Sequence, residues 1–95
     1  MLIIKGGRLQ RVDQLGNIKS IIAENVVDFD ENDDYVAAVH SNGSVVLYDG
    51  DLGRLRSRVT EDARRVKLED DEIVVLKEDG SWRRYNEIGN YLGSY

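Results

Sequence analysis

The sequence predicts an all-β protein built from antiparallel repeats, and three observations support this fold class. A pattern of buried strand, tight polar-glycine turn and second strand recurs, most clearly at residues 34–49 and 71–86. The chain has no proline and 9 glycines, so its turns must be built with Gly, Asn and Asp, as β-hairpins usually are. No stretch has a convincing helical pattern, because the nearest candidate, residues 59–66, aligns with a turn and a strand of the repeat.

Two columns of glycine set the register of the repeat. They are Gly7, Gly43 and Gly80, followed by Gly16, Gly53 and Gly89. Apolar and aromatic residues then align as Leu9, Val45 and Trp82, and as Val12, Tyr48 and Tyr85. A small insertion near Gly50 and Asp51 shifts the second copy. The repeats divide the chain into a partial unit at about 1–24 and full units at about 25–61 and 62–95, which we expect to form a single domain.

Each full unit is predicted to hold four strands. They are expected at 26–30 and 64–68, 35–40 and 73–77, 44–49 and 81–86, and 54–59 and 90–95. The partial unit begins inside its second strand near residue 2, which predicts roughly eleven strands in all. The apolar runs Val36–Val39 and Ile73–Leu76 suit strands buried on both faces. Asn42-Gly43 and Asp79-Gly80 are strong hairpin signals.

This unit resembles a β-propeller blade of the WD type. The third strand ends on an aromatic residue followed by Asp or Asn, at Tyr48-Asp49 and Tyr85-Asn86. The chain carries about two and two-thirds such blades, whereas propellers typically close with about four to eight. Since open blade edges tend to associate, we expect closure by oligomerisation, as a homodimer or homotrimer. The resemblance implies a platform for binding proteins or ligands. The alternative is a compact three-repeat β fold such as a β-trefoil.

Composition narrows the classes of function. The formal net charge is -5 and the pI is about 4.8, which disfavours direct binding to nucleic acid or to anionic membranes. The absence of Cys excludes disulfides, thiolate nucleophiles and Cys-based zinc sites. The first apolar run is too short for a signal peptide and no run reaches transmembrane length, so we expect a cytoplasmic protein.

Two features suggest chemistry only weakly. Asp28, Asp30 and Asn32 match the first ligand positions of a calcium loop, but Val39 stands where the bidentate glutamate belongs. We interpret this acidic run as a solvated turn between two strands. His40, the only histidine, has no partner at a catalytic spacing and is interpreted as a surface hairpin residue. We therefore expect no enzyme activity, no metal and no cofactor.

Two groups of side chains are candidates for binding a partner or ligand. Arg54, Arg56 and Arg58 alternate along a strand, which predicts that they line one face and bind an anion or pair with neighbouring carboxylates. Aromatic residues concentrate in the last repeat, as Trp82, Tyr85, Tyr91 and Tyr95. Trp82 and Tyr85 lie in apolar columns that favour core packing, whereas Tyr95 is placed to pack on a neighbouring subunit.

The sequence therefore predicts a non-enzymatic β-repeat module that self-associates and binds another protein. Two alternatives stay open. One is a small lectin that binds a glycan, suggested by Trp82 and by the Tyr and Arg content of the strands. The other is a small acidic inhibitor that occupies the nucleic-acid site of a basic partner.

Overall fold

The computed structural model describes residues 1–50 and 53–95, which form eleven β-strands and no helix. The strands are β1 (Leu2–Lys5), β2 (Arg8–Val12), β3 (Ile18–Ala23), β4 (Val26–Glu31), β5 (Tyr35–His40), β6 (Val45–Asp49), β7 (Leu55–Thr60), β8 (Ala63–Glu69), β9 (Glu72–Lys77), β10 (Trp82–Tyr85) and β11 (Tyr91–Ser94). The all-β prediction is confirmed. The described residues contain no helix that could span a membrane. The insertion expected near Gly50 and Asp51 lies partly outside the described residues.

The strands form three antiparallel sheets, one for each repeat. The first sheet is β1-β2-β3, the second is β4-β5-β6-β7 and the third is β8-β9-β10-β11. The hairpins close as their turn residues predict. Gly43 and Gly80 adopt φ angles of 89° and 88°, which favour glycine. The side chains of Asn42 and Asp79 accept hydrogen bonds from the backbone two residues further on.

The second sheet lies between the other two and is covered on both faces. Val36, Ala37, Ala38 and Val39 of β5 are all 0% exposed, so the prediction of a doubly buried strand is confirmed. Alternation along the strand directs Val36 and Ala38 toward the first sheet and Ala37 and Val39 toward the third. The first and third sheets therefore each have one face packed inside the molecule and one outer face.

Two apolar clusters hold the three sheets together. The cluster between the first and second sheets includes Leu2, Leu9, Ile22, Val26, Val36, Ala38, Val46 and Tyr48. The cluster between the second and third includes Ala37, Val39, Val45, Leu47, Val59, Val66, Ile73, Val75 and Tyr85. Burying an aliphatic side chain of this size contributes about 1.5–3 kcal/mol relative to exposing it. Apolar packing is therefore the main source of cohesion between the sheets.

Candidate interaction surfaces

A turn of the third sheet docks against the outermost strand of the second sheet. The turn between β10 and β11 lies on β7, where the Ser57 hydroxyl donates to the Glu87 carbonyl at 2.7 Å. A Cβ added at Gly89 would lie 2.8 Å from the Arg58 carbonyl oxygen, so the approach requires glycine. The Tyr35 hydroxyl donates to the Glu87 carboxylate at 2.5 Å, and this bond raises the pKa of Tyr35.

The turn between β6 and β7 of the second sheet docks on the first sheet in the same way. The equivalent turn of the first sheet, between β2 and β3, has no described sheet to dock on. Arg11 Nη2 donates to the Gly50 carbonyl at 2.9 Å, and a Cβ added at Gly53 would lie 2.9 Å from Ile22 Cδ1. In the first sheet the equivalent turn contains Gly16, and a Cβ added there would meet no described atom within 4 Å. The docking surface of this first turn is therefore uncovered.

Two carboxylates connect the first strands of neighbouring repeats. Asp28 Oδ2 on β4 accepts a hydrogen bond from the Val66 amide at 3.0 Å, and Asp30 Oδ2 accepts one from the Leu68 amide at 2.7 Å. Both residues lie in the strand predicted at 26–30, and the interpretation of the acidic run as a solvated turn holds only for residues 32–34, because Asp28 and Asp30 bond the edge of β8. No group of three His, Asp or Glu side chains in residues 1–50 and 53–95 is arranged to hold a metal ion.

The outer face of the third sheet combines apolar side chains with paired charges. Val74, Leu76 and Trp82 share this face, because Val74 and Leu76 alternate with the inward-facing Ile73 and Val75, and Trp82 pairs with Leu76. Arg84 donates to both carboxylate oxygens of Glu72, at 2.5 and 3.0 Å. These hydrogen bonds lower the pKa of Glu72 and raise that of Arg84.

A second polar cluster on this face surrounds the end of the chain. The Lys67 ammonium lies 5.1 Å from the ring centroid of Trp82 and 4.3 Å from that of Tyr95. Lys67 also donates to the Tyr95 hydroxyl at 3.1 Å, which raises the pKa of Lys67, and that hydroxyl donates to Glu69 at 2.8 Å. The aromatic rings of this face are therefore already partnered by a cation.

The outer face of the first sheet is a shallow concavity of about 470 Å³. Its lining is Ile3, Lys5, Gly6, Arg8, Gln10, Gly16 and Ile18. Ile18 is 56% exposed and Ile21 is 49% exposed, although both belong to β3. Ile21 and Ile22 are adjacent and point to opposite faces of β3. Two adjacent isoleucines in one strand are the sequence signal that both faces of the sheet carry apolar surface.

The four aromatic residues do not form one site. Tyr85 is 6% exposed and belongs to the core between the second and third sheets. Tyr91, 54% exposed, packs on it at a centroid distance of 5.6 Å. Trp82 lies on the outer face of the third sheet, and its ring centroid is 6.3 Å from that of Tyr95. Tyr95 is 57% exposed.

The three arginines do not line one face, and this prediction is wrong. The pairing of β6 with β7 shifts register between Leu47 and Tyr48, which leaves Arg56 as an extra residue in the bulge. As a result Arg56 lies 5.8 Å over the Tyr35 ring, on the side of the third sheet. Arg58 instead lines a small groove with His40 and Tyr48 on the opposite side. Arg54 is exposed and precedes the strand.

His40 makes a polar connection within that groove of about 180 Å³. Its Nδ1 lies 2.9 Å from the Glu24 carbonyl, which can only accept, so Nδ1 donates. Its Nε2 lies 2.9 Å from the Tyr48 hydroxyl, whose pKa is raised by burial. The ring thus ties the turn before β4 to the side chain of β6.

Comparisons with known proteins address the fold alone. No family model matches the sequence, and no curated protein matches it. The structure of BamB from Moraxella catarrhalis, a β-propeller protein, is similar over 100% of this chain with a TM-score of 0.68 and 12% sequence identity. The chain spans 34% of that protein's length. The prediction of propeller-like antiparallel sheets is confirmed. The β-trefoil alternative does not describe sheets that stack in a row, one for each repeat.

Proposed function

We propose that this protein is a non-enzymatic β-repeat interaction module that self-associates head to tail and binds another protein. One observation carries the proposal. The outer faces of the first and third sheets correspond to the two faces of the second sheet, and those two faces are buried inside the chain. A second copy could therefore cover each outer face by repeating a packing that the molecule already uses twice.

The repeat register specifies how two copies would meet. Gly53 docks on Ile22 and Gly89 docks on Val59, and these two docking targets are 8% and 6% exposed. Ile22 and Val59 belong to one column of the repeat, because each follows its own aligned glycine, Gly16 or Gly53, at the same spacing. The residue at that spacing after Gly89 is Tyr95, which is 57% exposed. The uncovered turn at Gly16 would then dock on Tyr95 of another copy. Tyr95 would become buried like the two residues it aligns with.

Side-chain chemistry on the two outer faces is compatible with this contact. Val74, Leu76 and Trp82 occupy the places of Ala37, Val39 and Val45, so the centre of the third face remains apolar. Glu72 and Arg84 stand in place of Tyr35 and Leu47 and satisfy each other, which limits the free energy needed to remove them from water. Such a contact joins unlike faces, so copies form a ring if the rotation closes.

Each chain holds three sheets, so a homodimer would supply six blades, within the usual range of about four to eight for a closed propeller, and a homotrimer would supply nine, just above that range. The interaction module is favoured over a lectin, because Lys67 lies over the ring of Trp82 that a sugar would stack on. The glycan and basic-partner alternatives stay predictions.

The test is the absolute mass in solution, measured by light scattering over a range of chain concentrations. We expect two or three times the chain mass of 10.8 kDa for the unmodified protein. Ile21→Asp places a charge on the outer face of the first sheet and should reduce the mass to that of one chain. Ile88→Asp is the matched control, because Ile88 is 70% exposed on a turn away from both outer faces. A single-chain mass for the unmodified protein at every concentration would refute self-association.

A further inference from the structure

In the part of the chain that the structure describes, no strand lies beside the inner edge of the first sheet. In the second and third sheets, β4 pairs with β5 and β8 pairs with β9. β1 occupies the place of β5 and β9, because the pair Ile4–Leu9 corresponds to the pair Val39–Val45. Within the described residues β1 pairs only with β2. One edge of β1 is therefore available for a further strand.

The hydrogen-bonding groups on that edge follow from the register. Met1 and Val12 exchange backbone hydrogen bonds at 2.8 and 3.1 Å. Hydrogen-bonded and non-bonded pairs alternate along an antiparallel ladder, so Ile3 and Lys5 also bond to β2. The N–H and C=O groups of Leu2 and Ile4 point away from β2. They are the groups that an added strand would bond.

The strands that fill this place elsewhere show which side chains suit it. Asp28 lies opposite Val39 and Asp30 opposite Ala37, and both carboxylates bond amides on the edge of the following sheet. On a strand added to the first sheet, the positions that correspond to Asp28 and Asp30 would lie opposite Ile4 and Leu2. The amides that correspond to those of Val66 and Leu68 belong to Phe29 and Glu31, since Phe29 pairs with Ala38 as Val66 pairs with Val75. The Glu31 amide donates to Asp30 Oδ1 at 2.9 Å, so an added carboxylate would share or replace that bond.

The residue between the two carboxylates has a requirement of its own. Phe29 lies opposite Ala38 and packs in the cluster that faces the first sheet. Its counterpart on an added strand would lie opposite Ile3 and point to the outer face of that sheet. An apolar residue there would cover part of the concavity.

We propose that the open edge of β1 binds an extended segment of another protein with the pattern carboxylate, apolar residue, carboxylate. The segment adds antiparallel to β1, bonds the backbone of Leu2 and Ile4, and directs its carboxylates to the amides of β4. This names a partner class for the proposed protein-binding role and rests on that role. Its backbone and carboxylate contacts lie on the edges of β1 and β4, and only its apolar residue reaches the outer face of the first sheet, so peptide binding and self-association are measured by separate assays.

The probe is a fluorescein-labelled, end-capped peptide with the sequence of β4, Val-Val-Asp-Phe-Asp-Glu. Fluorescence anisotropy against the full chain measures its binding. We expect the peptide in which both Asp residues are replaced by Asn to bind at least about tenfold more weakly, because it keeps the shape but loses both charges. Hydrogen exchange should slow at the Leu2 and Ile4 amides when the acidic peptide is added.

The matched protein variant is Ile4→Pro. It removes an N–H that faces the open edge and leaves the bonds between β1 and β2 intact. Peptide binding should be lost while the circular dichroism spectrum is unchanged. Equal binding of the Asn peptide, full binding by folded Ile4→Pro, or no binding of the acidic peptide would each overturn the inference. If the protein has a single-chain mass and binds the peptide, only the proposal of self-association is refuted. If the protein is an oligomer and does not bind the peptide, only the proposed site on the edge of β1 is refuted.

Discussion

Removing the carboxylates of Asp28 and Asp30 should weaken the connection between the second and third sheets. Asp28 accepts the Val66 amide at 3.0 Å, and Asp30 accepts the Leu68 amide at 2.7 Å and the Glu31 amide of its own strand at 2.9 Å. A hydrogen bond to a charged group contributes about 1.5–3 kcal/mol. Both side chains are only half-buried, so water replaces part of what is lost and the lower end of that range applies. We expect Asp28→Ala and Asp30→Ala each to reduce the free energy of unfolding by about 1.5 kcal/mol.

The assay is urea unfolding followed by circular dichroism at one fixed chain concentration, since self-association would make stability depend on concentration. For a chain of this size the free energy of unfolding falls by about 1–1.5 kcal/mol per molar urea. Each variant should therefore lower the urea concentration at the midpoint of unfolding by about 1–1.5 M. Hydrogen exchange adds a local measurement. The Val66 amide should exchange faster in Asp28→Ala, and the Leu68 amide should exchange faster in Asp30→Ala.

Two further variants identify the cause. Asp33→Ala removes an exposed carboxylate from the same acidic run and should change stability by less than about 0.5 kcal/mol. Asp28→Asn keeps one acceptor oxygen without the charge and should lose roughly half as much as Asp28→Ala. If Asp28→Ala and Asp33→Ala have the same midpoint, the carboxylates do not hold the sheets together.

Two more predictions follow from individual contacts. Gly89→Ala should destabilise the fold by about 1–3 kcal/mol more than Gly16→Ala. Both glycines have positive φ, but only a Cβ at Gly89 would meet a backbone oxygen, at 2.8 Å. Equal urea midpoints for the two variants would show that this close contact does not affect stability. The Arg84 guanidinium lowers the pKa of Glu72 below its ordinary value of 4.5. The stability this provides is complete above that value and is lost as the pH falls through the lower folded value, so the unmodified protein should lose more stability than Glu72→Gln between about pH 5 and 3. Parallel pH profiles of the two proteins would contradict this.

The positions of the strands could be predicted because their signals are local. Asn42-Gly43 and Asp79-Gly80 select hairpin turns, and the apolar run before each turn is long enough for one strand. All eight strands of the two full repeats begin and end within one residue of the predicted bounds. The burial of Val36–Val39 on both faces was also predictable, since four consecutive apolar residues leave neither face polar.

The first hairpin shows where the repeat alignment misleads. The Gly columns align His40 with Ile4, but the pairing places Lys5 at the equivalent position. The turn at Gly6-Gly7 has two residues between Lys5 and Arg8, one fewer than the turn between His40 and Ser44. Because a shift of one residue turns a side chain to the other face, the apparent column does not say which residues of β1 face the second sheet. The bulge at Arg56 separated the three arginines for the same reason.

The sequence by itself determined the all-β class, the strand order and the turns, because these depend on residues within one repeat. The tertiary structure decided what the repeats do to each other. The strand that holds Asp28 and Asp30 was predicted, but their bonds to β8 were not, because those amides lie about 38 residues away in the chain. Tyr95 is exposed whereas Ile22 and Val59 in the same column are buried, because a turn of the following sheet covers each of those two. Such contacts depend on stacking geometry between sheets, which a residue pattern of period two does not contain.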